Sequence, residues 1–404
     1  MSIAIYTLTS DLHDAQAVDA ITAAFLASLG HDYVLRGSDY SDYGSATLSL
    51  LFVRTGGTEG RFLQLLTQLS QQSSQPFLLL TSGTNNSLAA SMEILSYLNS
   101  HGFRGEILHG DGAFLCRRID VLLRVEKARR RLCGCRLGIV GKPSDWLIAS
   151  TYDPVTIYSL LGITFVEIPM AELLTLYHGL SPVEDCIGSD HTDDDQLLLS
   201  LPGANHLYHT LRHLVYDYQL SGFTLRCFDL LTSIRNTGCM ALSRLNADGI
   251  VAGCEGDVPT MLTMMISQAL FGVSGFMCNL SRISPDGELL FAHCTIPLNM
   301  VERYDLDTHF ESGLGVGIRG YMKPGPVTLF KVSGDLRRMF VAEGQLITSS
   351  AEPNLCRTQQ HIRLDDSSKV RYFLTESIGN HHVVLPGHVA NVLSELVLGF
   401  TPSP

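Results

Sequence analysis

Two groups of residues in this chain have the types and spacing to do chemistry. The first is a pair of carboxylates separated by one glycine, in Gly253-Cys254-Glu255-Gly256-Asp257. The second is a histidine pair far downstream, in Asn380-His381-His382. The carboxylates close an apolar run, Ile250-Val251-Ala252, which reads as a buried strand. Carboxylate oxygens and an imidazole form a donor set for a divalent cation such as Mn²⁺. A cation held this way keeps positions open for a substrate's oxygens. Alternate residues of an extended segment face the same way, so Glu255 and Asp257 can share one site. Without a cation between them they repel. The expected chemistry is metal-dependent catalysis on a polyhydroxylated small molecule. A plainer reading uses the same residues: Asp257 caps the helix that follows, and Glu255 sits in a salt bridge.

Other polar residues are weighed the same way. Asp229 is expected at the end of a strand, Phe223–Leu230, where it serves as a third oxygen ligand, as an acid/base, or simply as a turn residue. Neighbouring residues on a strand point to opposite faces, so only one of His381 and His382 can reach the site. His293, in Phe291-Ala292-His293-Cys294, is a further candidate. Cys294 beside it is not evidence for a thiol nucleophile, because a Cys/His pair must converge and neighbours on a strand diverge. His206, His209 and His213 recur at helical spacing, lack a His-Glu-x-x-His pattern, and are expected on a half-exposed helix face.

The elements that must position these groups fall into a pattern. Strands are expected at Ser2–Thr9, Ala46–Arg54, Pro76–Thr81 and Gly105–His109. Helices are expected at Asp14–Leu29, Thr58–Gln71, Ser87–His101 and Gly112–Cys133, the third capped by Asn86. Alternation of this kind implies a parallel sheet covered by helices. A second strand–helix series starts at Arg136–Gly141, with a strand at Leu160–Val166, a polar acidic loop at Ser181–Gln196, helices at Asn205–Tyr218 and Ile234–Asp248, and the strand Ile250–Cys254. From Phe276 strands dominate: Phe276–Leu280, Leu289–Cys294, Val327–Ser333, Arg338–Thr348 and Val370–Thr375. The fold class read from this is α/β: two Rossmann-like α/β domains, 1–133 and 134–252, then a β-rich, barrel-like domain, 253–404. Two loops, Arg54–Glu59 and Thr81–Asn86, follow strands and precede helices; they are tight turns or contacts for a hydroxylated ligand or a neighbouring subunit.

Composition narrows the function. With 404 residues, 45% hydrophobic and 17% charged, the chain has material for packed cores and no disorder signature. A net charge of −12 disfavours broad nucleic-acid binding. The ten cysteines follow no disulfide or zinc frame, which fits free thiols in a reducing cytosol. The start of the chain reads as a strand, and a cytoplasmic location is expected. No charge occurs between Asp257 and Arg282, but polar residues and glycines break that stretch, so a buried helix over Pro259–Phe271 is expected rather than a membrane span.

Five segments, in order, resemble one family. They are Asn85-Asn86-Ser87-Leu88-Ala89-Ala90 with Met92-Glu93-Ile94; Gly138–Leu147, which contains Trp146; Cys254-Glu255-Gly256-Asp257; Gly325-Pro326-Val327-Thr328-Leu329; and Asn380-His381-His382. Together they are similar to the L-fucose and L-arabinose isomerase superfamily, especially its shorter bacterial and archaeal members. The resemblance implies Mn²⁺-dependent aldose–ketose isomerisation through a cis-enediolate, and homo-oligomers (trimers or hexamers) with active sites at subunit contacts. It carries the metal ligands to Asp229, Glu255, Asp257 and His381, with the three carboxylates also the catalytic acid/base candidates. Arg54, Asn86, Trp146, His293 and His382 are expected to face the sugar. The family's first carboxylate is a glutamate, and Asp229 is one methylene shorter. That departure motivates an alternative: a catalytically silent, sugar-binding member. A further alternative is an isomerase of a sulfonated or phosphorylated sugar, for which Arg54, Arg235 and Arg319 are the cations to inspect.

Overall fold

The structure, a computed structural model, describes residues 2–73, 75–183 and 187–399. The chain forms two compact units, one running to Lys127 and one beginning at Ala128.

In the first unit, five strands form a parallel sheet: β1 (Ile3–Leu8), β2 (Val34–Gly37), β3 (Leu48–Val53), β4 (Phe77–Leu80) and β5 (Gly105–Leu108), in the order β2-β1-β3-β4-β5. β1, β3 and β4 are buried along their whole length, as continuous apolar runs in a doubly covered sheet should be. Alternate side chains feed two cores. Ile3, Ile5, Leu50 and Phe52 meet Leu26, Leu115 and Ile119 from the helices Ala15–Ala27 and Gly112–Leu132. Tyr6, Leu51 and Val53 meet Phe62, Leu66, Ile94 and Leu98 from the helices Glu59–Gln72 and Ser87–Ser100.

The second unit opens with a four-stranded parallel sheet: β6 (Arg136–Val140), β7 (Thr164–Ile168), β8 (Gly222–Leu225) and β9 (Val251–Cys254), ordered β7-β6-β8-β9. A closed antiparallel barrel follows. Its strands are β10 (Phe276–Ile283), β11 (Leu289–His293), β14 (Gly325–Val332), β15 (Met339–Ser350), β16 (Thr358–Leu364) and β17 (His381–Pro386), ordered β10-β11-β16-β15-β14-β17. A hairpin of β12 (Arg303–Asp307) and β13 (Gly317–Tyr321) lies between β11 and β14 in the chain. Residues 339–346 of β15 alternate half-buried and buried, the period a barrel wall demands. Phe276, Phe291, Leu329, Phe340, Ile362 and Val384 belong to the barrel core. The helix Val258–Phe271, the uncharged stretch of the sequence, is buried except at Gln268 and Phe271 and packs against β9, β14 and β17. Among the described residues no helix is long and apolar enough to cross a membrane.

Several expected elements change type. Val370–Thr375 is a helix, not a strand: it contributes Tyr372 and Phe373 to a ring cluster, and its aromatics suit either state until packing decides. The expected strand Phe223–Leu230 stops at Leu225, and Asp229 opens the short helix Asp229–Ser233. The expected strand Leu160–Val166 divides at Gly162, which has φ +67 and ends the helix Pro154–Leu161 before β7 begins. The helix expected from Asn205 starts at Asp195, where Asp194 accepts from the Gln196 and Leu197 amides. The acidic loop before it falls partly on residues 184–186, outside the described residues. Asn86 precedes its helix but makes no side-chain cap bond, because it and Asn85 are both left-handed.

Candidate metal centre

The site is built where the second parallel sheet hands the chain to the barrel. β9 ends at Cys254, and the backbone then takes two left-handed residues, Glu255 (φ 62) and Gly256 (φ 72). A Cβ on Gly256 would stand 2.6 Å from the Lys142 carbonyl oxygen, so only glycine fits there. A glutamate in this conformation costs roughly 1 kcal/mol. Strain of that kind gathers at working sites. The turn delivers Asp257 to the N-cap of the helix Val258–Phe271, where its Oδ1 accepts from the Thr260 amide at 2.8 Å. Glu255 thus stands just past the C-terminal end of a parallel strand, the edge at which ligands of such sheets bind.

Barrel pairing brings the histidines. β17 pairs with β10 so that His381 lies opposite Asn279, and Asn279 lies opposite Ala292 on β11. His293 is the next residue and ends β11. One ligand-type atom each from Glu255, His293 and His381 lies within 4.8 Å of the other two, and all three residues are buried. Glu255 Oε1 is 3.5 Å from His381 Nε2 and 3.7 Å from His293 Nε2. His381 Nδ1 lies 2.9 Å from Asp257 Oδ2, and His293 Nδ1 lies 3.0 Å from the Thr295 hydroxyl. The Trp146 indole N–H donates to Glu255 Oε2 at 2.6 Å. His381 Nε2 is buried and has no hydrogen-bond partner. A buried polar atom left without a partner costs about 1–3 kcal/mol, so it calls for a ligand.

Behind this cluster sits a fully buried lysine. Lys331 on β14 donates to the Thr260 hydroxyl and lies 3.7 Å from Asp257 Oδ2. Burial lowers its affinity for a proton, against the pull of Asp257. Burial alone would raise the carboxyl pKa values of Glu255 and Asp257. For Glu255 the nearby imidazoles of His293 and His381 outweigh it; for Asp257 Lys331, His381 and the Thr260 amide do. Both stay well below the usual carboxylate range. Burial pulls His381 down, but the hydrogen bond to Asp257 and the negative charges of Asp257 and Glu255 push it up to about 9.

The sequence candidates separate cleanly. Glu255, Asp257, His293, His381 and Trp146 come together. Asp257 is both the expected helix cap and the partner of His381, and its oxygens are shared among Thr260, His381 and Lys331. Asp229 lies one residue beyond Phe228, whose ring meets Trp146 edge-on, and its carboxylate takes the Arg226 guanidinium at 3.1 Å. His382 points to the other face of β17 among Phe340, Tyr372 and Phe373, with Nε2 3.0 Å from the Tyr372 hydroxyl. Burial first, then Lys331, lowers its pKa to about 3. In the first unit Arg54 pairs with Asp19, and the Gly56 amide donates to the Asn85 carbonyl at 2.7 Å, linking the two loops that hold Arg54 and Asn86. Arg319 pairs with Asp307 at 2.6 Å, while Arg235 is exposed and left-handed (φ 53). His206, expected half-exposed, is buried with Nε2 2.7 Å from the Tyr177 carbonyl, whereas His213 is exposed. Lys331 was missed. Its only sequence signal was a lone charge inside Val327–Ser333, a run otherwise fit for a core strand.

No family model matches the chain. It is similar to the sulfoquinovose isomerase of Alkalicoccus urumqiensis, 20% identical over 313 residues, covering 74% of this chain and 70% of that protein. It is also similar to the sulfoquinovose isomerases of Priestia aryabhattai and Priestia megaterium, each 23% identical over 301 residues, covering 70% of this chain and 66% of theirs.

Proposed function

We propose that the protein is a metal-dependent aldose–ketose isomerase acting on a sulfonated sugar. One observation carries the reading: Glu255, His293 and His381 converge on a point, and the His381 nitrogen facing it has no hydrogen-bond partner. The names of the relatives support a sugar isomerase and favour a sulfonated substrate.

The donor set fits a metal. Two imidazole nitrogens and one carboxylate oxygen suit Mn²⁺ or a similar divalent ion. Bound there, such an ion supplies a Lewis acid for two adjacent oxygens of an open-chain sugar. The chain's own residues do the rest. Asp257 accepts the Nδ1 proton of His381, which leaves the Nε2 lone pair facing Glu255. Trp146 holds Glu255 Oε2, so Oε1 is the oxygen turned to the two imidazoles. Asp257 is fully enclosed and its oxygens are committed, so we assign it to orienting His381 rather than to moving a substrate proton. Glu255 and Asp229 remain as carboxylates for the carbon-bound proton. We assign the sulfonate to Arg235, which has no acidic partner among the described residues, unlike Arg54 and Arg319. The active form is read as a homo-oligomer, a trimer or hexamer.

The test is to strip the protein with a chelator, add Mn²⁺, and follow sulfoquinovose by NMR. Ketose should appear with metal and not without it. Metal and sugar binding with no turnover on sulfonated or plain aldoses would replace this reading with a silent sugar-binding protein.

A further inference from the structure

A second group of ligand-type side chains lies in the first unit and shares no residue with the centre above. We propose that His31, Cys116 and Asp120 bind a borderline divalent cation of the zinc type. Cys116 and Asp120 are four residues apart on the helix Gly112–Leu132 and so share a face. His31 follows Gly30, whose left-handed backbone (φ +69) ends the turn after the helix Ala15–Ala27. A Cβ on Gly30 would meet the Cys116 sulfur at 3.4 Å, which puts this turn against the thiol.

Hydrogen bonding around His31 points to a cation. Nδ1 lies 3.0 Å from the Leu29 carbonyl oxygen, which can only accept, so Nδ1 carries a proton. Nε2 faces Asp120 Oδ1 at 3.0 Å. A neutral ring with its proton on Nδ1 would set a lone pair against a carboxylate oxygen. A proton or a metal ion must lie between them. The thiol decides which is chemically available. One ligand atom each from His31, Cys116 and Asp120 lies within 4.8 Å of the other two. Tetrahedral zinc bonds of about 2.0–2.3 Å set ligand atoms roughly 3.3–3.8 Å apart, so small side-chain rotations close the site. A backbone carbonyl on the far nitrogen is also the usual outer support of a metal-bound histidine.

The donor set separates this site from the first. A thiolate selects Zn²⁺-like ions, whereas the Glu255–His293–His381 set has no sulfur and accepts a harder ion. The Asp120 side chain is 66% exposed, so an ion can reach the site from solvent and keep a water in the fourth position. On binding, a metal–sulfur bond forms, the S–H bond breaks, and its proton goes to solvent; a proton held on His31 Nε2 leaves as well. No electrons change hands. The bound ion would staple the His31 turn to the helix Gly112–Leu132.

Cobalt(II) is the probe, titrated into the full-length, chelator-treated protein. A near-ultraviolet sulfur-to-cobalt charge-transfer band is expected, bleached by stoichiometric Zn²⁺. It should vanish in Cys116→Ser, weaken about 10-fold or more in affinity in His31→Ala and Asp120→Asn, and persist in His381→Ala. Circular dichroism checks that each variant folds. No such band in the wild-type protein, or an equal band in Cys116→Ser, overturns the proposal and leaves a protonated His31 paired with Asp120.

Discussion

Replacing Asp257 with Asn removes one oxygen from a carboxylate that serves several groups at once. Oδ1 accepts from the Thr260 amide at 2.8 Å. Oδ2 accepts from the Thr260 hydroxyl at 2.7 Å, lies 2.9 Å from His381 Nδ1, and is 3.7 Å from Lys331 Nζ. An Asn oxygen turned to the Thr260 amide keeps the cap but presents NH₂ to His381. Nδ1 must then accept, the ring proton moves to Nε2, and no lone pair is left for a metal. The flipped amide keeps the His381 contact and loses the cap, at about 1 kcal/mol. In either pose Lys331 loses its anionic partner, and breaking a buried pair costs about 3–5 kcal/mol. Losing the outer support of a metal-bound histidine weakens metal affinity about 10–100-fold, or about 1.4–2.8 kcal/mol. Free Mn²⁺ followed by electron paramagnetic resonance gives the affinity, and urea unfolding of the metal-free protein gives the stability. Both should fall. A folded Asp257→Asn protein that binds Mn²⁺ within a factor of about two of wild type would refute the claim that this carboxylate sets the His381 tautomer.

Further outcomes follow from these assignments. Metal needs neutral His381, whose pKa is pushed up to about 9, so Mn²⁺ affinity should climb about tenfold per pH unit from 7 to 9 with proton release on binding; a flat profile contradicts it. The same raised value stabilises the metal-free fold below about pH 6.5, and that contribution is lost as pH rises through about 9. His382, held near 3 against an ordinary 6.5, works the other way: its contribution is complete above about pH 6.5 and drains away toward pH 3, so His382→Phe should blunt acid unfolding by a few kcal/mol in urea titrations at pH 4. Trp146→Phe frees Glu255 Oε2, and since Trp146 is half exposed, kcat should drop about 10-fold or more while the melting temperature barely moves. Arg235→Ala should raise KM for sulfoquinovose about 10–100-fold and leave unsulfonated aldoses unaffected, as steady-state kinetics would read.

The sequence by itself determined the parallel sheets, because β1, β3 and β4 are apolar runs that only a doubly covered sheet can bury. It also placed Glu255 and Asp257 at a strand end, and it limited the histidine pair to one site-facing member through strand alternation. What only the tertiary structure decided was the company these residues keep. His381 and Asp257 are 124 positions apart and meet only because β17 closes the barrel against β10, with the helix after Asp257 packed on β14 and β17. A slip of one residue in that register would turn His382 inward and His381 out. His293 and Lys331 join the centre through the same barrel pairing, Trp146 joins it from the loop after β6, whose Ser144 amide donates to the Glu255 carbonyl, and Val370–Thr375 becomes a helix because its aromatics pack around His382. Local periodicity carries no record of strand register across a hundred residues, and register is what places a metal's ligands.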